Sequence, residues 1–236
     1  MNDKTLSAEQ SRVLAKGPFP DYPFTPKSFT QPSGLVQSYL DEGHGDVIVM
    51  LHGNPSWSYY WRHLVLGLKE NYRCIVPDHI GMGLSDKPSD ENYRYTLQSR
   101  VDDLERLLDS LNLGDNITLA VHDWGGMIGF AWALKHSKRI KRLVILNTAA
   151  FPLPKTKKIP WQLKLGRDSA LGTLLIRGIN AFAGGAVRDG VVTKMPKDVG
   201  NAYVAPFDSW ANRISTSRFV QDIPLSADDA AWSLVE

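Results

Sequence analysis

Five short apolar runs punctuate the chain: LVQSYL (35–40), DVIVMLHG (46–53), RCIVPD (73–78), ITLAVH (117–122) and RLVILNT (142–148). The last four are continuously apolar and rich in β-branched residues, the pattern of parallel strands covered on both faces. Between them the period lengthens. Tyr59 to Leu68 and Thr96 to Leu113 read as helices, and in the second Val101, Leu104, Leu107, Leu108 and Leu111 recur at three- and four-residue steps, giving one apolar stripe. Met127 to Lys135 reads as a third helix, started by Gly125 and Gly126. Strand–helix–strand alternation predicts an α/β fold, with a mostly parallel sheet, right-handed crossovers and flanking helices.

After Asn147 the texture changes. Pro152, Pro154 and Pro160 interrupt the pattern, Lys155, Lys157 and Lys158 form a basic cluster, and weaker helical segments carry Trp161, Phe182, Phe207, Trp210 and Phe219. This stretch reads as an inserted helical lid, and the basic cluster as a solvated loop. The expected division is an α/β core over residues 1–151, a lid over 152–224, and the start of a return to the core over 225–236.

Composition narrows the partners more than the fold. A chain of 236 residues with 43% hydrophobic and 22% charged residues is ordinary for a soluble globular protein. Lys+Arg 27 against Asp+Glu 25 leaves no electrostatic case for nucleic acid. The single cysteine, Cys74, excludes an internal disulfide and reads as a small core hydrophobe in RCIVPD. The opening MNDKTLSAEQSRVLAKG is polar and helical in character and lacks the apolar core of a secretory signal. No apolar run approaches the roughly 18 residues of a membrane span. A cytoplasmic protein is expected.

The chemistry-bearing stretch is TLAVHDWGGMIG (118–129). A strand, a tight turn on small residues and a helix would expose one side chain, Asp123, at the carboxyl edge of the sheet and aim free helix N–H groups at it. Alternatively, Asp123 merely caps the helix. In LHGNPSWSYYWR (51–62), a second strand end followed by glycine, the N–H of Asn54 can face the same spot, so that with the N–H of Trp124 it makes a two-donor oxyanion hole. In PDHIGMGLSDKP (77–88) the Gly-x-Gly lacks the third glycine of a dinucleotide site and reads as a loop passing close under Asp123. No ligand cluster or phosphate loop appears, so no metal or organic cofactor is expected.

These three segments, in this order, resemble the α/β-hydrolase superfamily, and the carboxylate at the turn narrows this to the branch of haloalkane dehalogenases and epoxide hydrolases. HGNPSWS, YRCIVPDHIGMGLSDKP, HDWGGMIG, RLVILNTAAFPLPK and AYVAPFDSWANRISTSRFVQDIPL are similar to the β-lactone decarboxylases of long-chain olefin biosynthesis, from about Leu35 to Leu225. The resemblance implies that Asp123 is the nucleophile and that the side chains of Asn54 and Trp124 stabilise the departing charge. It implies an apolar small-molecule substrate, a lid tunnel for two alkyl chains lined by the lid aromatics, and a β-lactone synthetase as the partner supplying the lactone. The alternatives it leaves are a haloalkane dehalogenase and, from another class, an inactive scaffold that binds a partner or apolar ligand. Epoxide hydrolysis ranks below these, because Tyr203 is the only tyrosine in the lid and a two-tyrosine clamp is not expected.

In the family, two strands after the lid carry an acid and then a base histidine. The histidines here are His44, His52, His63, His79, His122 and His136, all upstream of the lid. His122 neighbours Asp123 in a strand, so alternation is expected to turn it to the opposite face, and His52 is expected to be structural. A fragment of a longer protein, lacking the last strands of the sheet and with little turnover of its own, is the expectation.

Overall fold

Apolar runs of the kind found here bury themselves by pairing edge to edge and covering both faces. In the computed structural model, which describes residues 6–152 and 158–236, they form one six-stranded sheet in the order β1-β2-β4-β3-β5-β6. The strands are β1 (Lys27–Thr30), β2 (Val36–Glu42), β3 (Asp46–Leu51), β4 (Tyr72–Pro77), β5 (Ile117–Asp123) and β6 (Ile140–Thr148). β4, β3, β5 and β6 are parallel, while β2 runs antiparallel to β4 and β1 antiparallel to β2. The sheet is therefore mixed. The short, polar β1 has no apolar run to announce it.

Alternate residues of β3 serve two cores, as the pleat requires. Val47, Val49 and Leu51 pack with helices α3 (Leu97–Ser110) and α4 (Trp124–Lys135), whereas Ile48 and Met50 pack with Val65 of α2 (Arg62–Leu68) and Val13 of α1 (Ala8–Leu14). Helix starts follow their capping chemistry: Ser7 forms a reciprocal capping box with Gln10 on α1, and the Thr96 hydroxyl accepts the Ser99 N–H of α3 at 3.2 Å. The helix expected over Tyr59 to Leu68 opens instead as a tight 3₁₀ turn over Ser58–Trp61 before α2. α4 begins at Trp124, with both glycines inside its first turn.

β6 departs from the expectation of strands covered on both faces. Its Leu143, Val144, Ile145 and Leu146 are between 37% and 56% exposed, and among the described residues β6 pairs only with β5. A continuously apolar strand has the same composition at an edge as in the centre, so composition could not tell them apart.

Five helices follow: α5 (Trp161–Asp168), α6 (Ala170–Ile179), α7 (Ala181–Asp189), α8 (Lys197–Val204) and α9 (Ile214–Gln221). They pack on one another, and α8 rests on the turn before α2. The tunnel expected of their aromatics is only partly there. Phe207 and Phe219 are fully buried in the core, Trp210 is exposed, and Trp161 and Phe182 line a lid cavity. Beyond α9, Ala231 and Val235 pack into the core of α3 and α4. Pro154, Lys155 and Lys157 lie outside the described residues. No single described helix is long and apolar enough to cross a membrane.

A buried charge joins α3 of the core to the end of α9. Arg100 lies on the buried stripe of α3, between Leu97 and Val101, and pairs with Asp222, just past α9, at 3.1 Å. Its guanidinium sits 3.7 Å from the ring centroid of Phe219 on α9. Two of its nitrogens, Nε and Nη2, are buried without a hydrogen-bond partner.

Candidate active site

Asp123 occupies the last position of β5 and the N-cap of α4, with φ 51° and ψ −128°. For a residue with a Cβ this conformation costs on the order of 1–3 kcal/mol and persists only where its surroundings hold it. Those surroundings are glycines. A Cβ on Gly53 would strike the Asp123 carboxylate, one on Gly125 would strike the Leu51 carbonyl, and one on Gly126 would strike the side chain of Thr148. The Thr148 hydroxyl donates to the Asp123 backbone carbonyl, so the end of β6 also braces the turn.

The carboxylate is held by backbone donors. The Asn54 N–H donates to Oδ1 at 2.7 Å, and the Trp124 N–H donates as well. Burial raises the Asp123 pKa above the ordinary carboxylate range, and these two N–H groups, followed by nearby His122, pull it back down. A simple helix cap does not describe it, because the carboxylate takes the Trp124 N–H at the very start of α4 and makes no capping bond deeper in its first turn.

Of the two side chains expected to face the departing charge, that of Asn54 lines the cavity and the Trp124 indole does not, which corrects the expectation for Trp124. The Asn54 side chain lines the same cavity as Asp123, and its Nδ2 donates to the Thr216 carbonyl of α9 at 3.0 Å. That fixes the amide plane and leaves one N–H of the two for a ligand. Trp124 reaches the carboxylate through its backbone N–H. Its indole ring packs edge-on against Phe219, 5.1 Å between centroids, and lies outside the cavity lining, with no hydrogen-bond partner for its N–H among the described residues.

The cavity over Asp123 has a volume of about 350 Å³, and α7 and α8 form its roof. His122 lines it too, which corrects the expectation from strand alternation. A register shift between His122 and Asp123, together with the positive φ of Asp123, breaks the pleat at this step. The His122 ring stacks on Tyr60, 4.4 Å between centroids and 17° between planes, and burial lowers its pKa, favouring the neutral ring. Its Nδ1 is buried without a partner. Tyr60 from the core and Tyr203 from α8 share this lining, so two tyrosines are available although only one belongs to the lid. Sequence order gave no hint of this, because Tyr60 reaches the cavity from the turn before α2. Asn147, at the end of β6 with φ 36°, also lines it.

His52 is fully buried beneath the site. Its Nδ1 faces the Gly53 carbonyl at 2.9 Å, its ring packs 4.5 Å from that of His79, and burial holds its pKa well below the usual value. Asp78 beside it accepts N–H bonds from Ser58 at 2.6 Å and Leu84 at 2.8 Å, while burial raises its pKa to about 6. Together they hold the two loops that carry Asn54 and Gly83. Among the described residues no three His, Cys, Asp or Glu side chains are placed to hold a metal.

A strained carboxylate at the strand–helix turn, fed by two backbone N–H groups, is the geometry of one large family, and the alpha/beta hydrolase fold profile matches residues 46–169. The chain belongs to the α/β-hydrolase fold family. Within that family it is 63% identical over 225 residues to a cis-3-alkyl-4-alkyloxetan-2-one decarboxylase of Xanthomonas campestris pv. campestris, across 92% of this chain and 75% of the relative. It is 59% identical to the protein of the same name from Shewanella oneidensis, across 89% of this chain and 66% of the relative. A haloalkane dehalogenase of Mycolicibacterium smegmatis is 34% identical, across 88% and 68%. Among solved structures, an ancestral haloalkane dehalogenase superposes with a TM-score of 0.80 at 25% identity, across 89% of this α/β-hydrolase chain and 74% of that one. The chain thus spans three quarters of the length of the first relative and about two thirds of the second.

Proposed function

We propose that this α/β-hydrolase opens cis-3,4-dialkyl oxetan-2-ones at Asp123 and releases an alkene and carbon dioxide. A carboxylate needs no base before it attacks, unlike a serine hydroxyl. Asp123 attacks ring carbon C4, the C4–O bond breaks, and the ring oxygen leaves as part of a free carboxylate on C3. The C3–carboxylate bond then breaks to give carbon dioxide, its electron pair forms the C3=C4 double bond, and the bond from C4 to Asp123 breaks. Asp123 is thereby regenerated without water, which distinguishes this route from a dehalogenase, where the ester must be hydrolysed.

The Asn54 amide stabilises the charge that develops on the leaving oxygen, and the two backbone N–H groups steady the Asp123 oxygens throughout. The observation that carries the reading is the buried, backbone-held Asp123 carboxylate opening into a roofed cavity, in a chain 63% identical to a named oxetanone decarboxylase. A synthetase that closes β-lactones is the class of enzyme that would supply the substrate, and a cytoplasmic location would suit that pairing.

The second reading, hydrolysis of carbon–halogen bonds, is favoured by the dehalogenase relative and the structural superposition. Both are tested in one experiment. Purified protein is incubated with a long-chain cis-3,4-dialkyl oxetan-2-one and, separately, with a bromoalkane, while alkene, carbon dioxide, halide and the intact mass of the protein are measured. Alkene with carbon dioxide supports the decarboxylase, whereas bromide without alkene makes the protein a dehalogenase. Binding of the lactone with no product and no Asp123 adduct would leave only an apolar-ligand scaffold.

A further inference from the structure

Two cavities share helix α7. The first, over Asp123, is bounded on the α7 side by Ala183, Ala186 and Val187. The second, of about 510 Å³, lies between α5, α6 and α9 and is bounded on the α7 side by Ala181 and Phe182. Both volumes fall in the range of small-molecule sites, about 300–1,000 Å³. Their chemistry differs. The first is lined by Asn54, His122, Asp123 and Asn147 among others, while Gln162 is the only side chain with a polar group, apart from the Trp161 indole N–H, around the second.

The partition itself is soft. α7 reads AFAGGAVRD, and a Cβ on Gly184 or Gly185 would meet nothing within 4 Å. Interior glycines weaken a helix, and its N-cap, Asn180, makes no side-chain capping bond to it.

We propose that the lid cavity seats one of the two alkyl arms of the substrate, so that the four-membered ring and the other arm lie over Asp123 and α7 runs between the arms. The proposal rests on the oxetanone reading above. The ring has to lie at Asp123 to react, and its substituents leave from adjacent carbons, so two long arms cannot follow one another down one channel. A saturated chain is also the chemistry the second cavity accepts. A polar or charged group there would lose its hydration and find few partners, whereas each methylene moved out of water strengthens binding by about fourfold.

The test compares wild type with Leu175→Trp, which fills the lid cavity, and Leu175→Ala, which enlarges it. Neither change touches Asp123 or its donors. The substrates are cis-3,4-dialkyl oxetan-2-ones with one short arm and the other lengthened stepwise, and the readout is the concentration giving half-maximal alkene formation or Asp123 adduct. In wild type this concentration falls about fourfold per methylene until the cavity is full, then levels off. Leu175→Trp levels off at a shorter arm and Leu175→Ala at a longer one, while lactones with two short arms react alike with all three proteins. The opposite shifts separate a filled cavity from a misfolded variant. The same levelling point in all three proteins overturns the proposal.

If wild type gives neither alkene nor adduct with any lactone, the proposed reaction fails but the alkyl seat is still read directly. Straight-chain alkanols of increasing length then displace bound 1-aminoanthracene. A levelling point that moves with Leu175 upholds the seat, and one that does not move, or no displacement at all, overturns it.

Discussion

Gly53, Gly125 and Gly126 beneath Asp123, and Gly184 and Gly185 in α7, are the same residue in opposite surroundings. At the floor of the site a side chain has nowhere to go: Asp123, Leu51 and Thr148 already occupy the space. In the lid helix a side chain would enter open space. In the first case glycine permits close approach and holds a strained carboxylate. In the second it leaves a helix short of the rigidity its length would otherwise provide. The floor is stiff where the proposed reaction needs an atom held, and the lid is soft where the proposed alkyl arm would enter.

The sharpest break in that contrast would come at Asp123 itself. Asp123→Asn should lower product formation by at least about a thousandfold and abolish any covalent adduct seen by intact mass. The same variant should be more stable than wild type at neutral pH. The wild-type pKa is raised on folding, so the ionised carboxylate opposes folding above that pKa and the opposition disappears as pH falls through it. Denaturation curves at several pH values should therefore converge on the acid side. An Asn variant less stable than wild type at neutral pH would show that the two N–H bonds outweigh burial.

The joint between floor and lid comes next. Arg100→Met leaves the largely buried Asp222 carboxylate without its partner and should destabilise the protein by about 3–5 kcal/mol in urea unfolding. Making both ends apolar, with Asp222→Leu as well, should restore most of that loss. If the double variant is no better than the single one, the pair positions the lid rather than merely neutralising a charge.

At the floor, Gly125→Ala should cost about 1–3 kcal/mol, because the new methyl meets a backbone carbonyl that cannot turn away. In the lid, Gly184→Ala and Gly185→Ala should each stabilise by about 0.4–1 kcal/mol, raising the midpoint of thermal unfolding slightly. Were the lid substitutions to destabilise as the floor substitution does, the contrast between them would be lost.

Much of the floor was readable in the chain. The strand end, the small residues after it and the order of the three motifs located Asp123 and Asn54 because local geometry at a strand–helix turn depends on a few adjacent residues. What escaped reading depends on distant contacts. His122 was expected on the far face, and the broken pleat at Asp123 reverses that. Tyr60 arrives from a 3₁₀ turn that looked like the start of a helix. Thr216, whose carbonyl orients the Asn54 amide, lies 162 positions away in sequence. Arg100 did leave a trace, as a charge beside Leu97 and Val101 on a largely apolar stripe, but nothing local pointed to Asp222 as its partner. The exposure of β6 is likewise a matter of neighbours and not of composition.

The bond from Asn54 to Thr216 ties chemistry to timing. Its donor stands on the floor and its acceptor on α9, so the amide is aimed only while that helix is seated. Should α9 lift to pass a long chain, the amide swings free and the leaving oxygen loses a donor just when bulk water has access. If Asp123 opens the ring as proposed, the seated α9 is therefore part of the catalyst, although it touches the substrate only through the amide it aims.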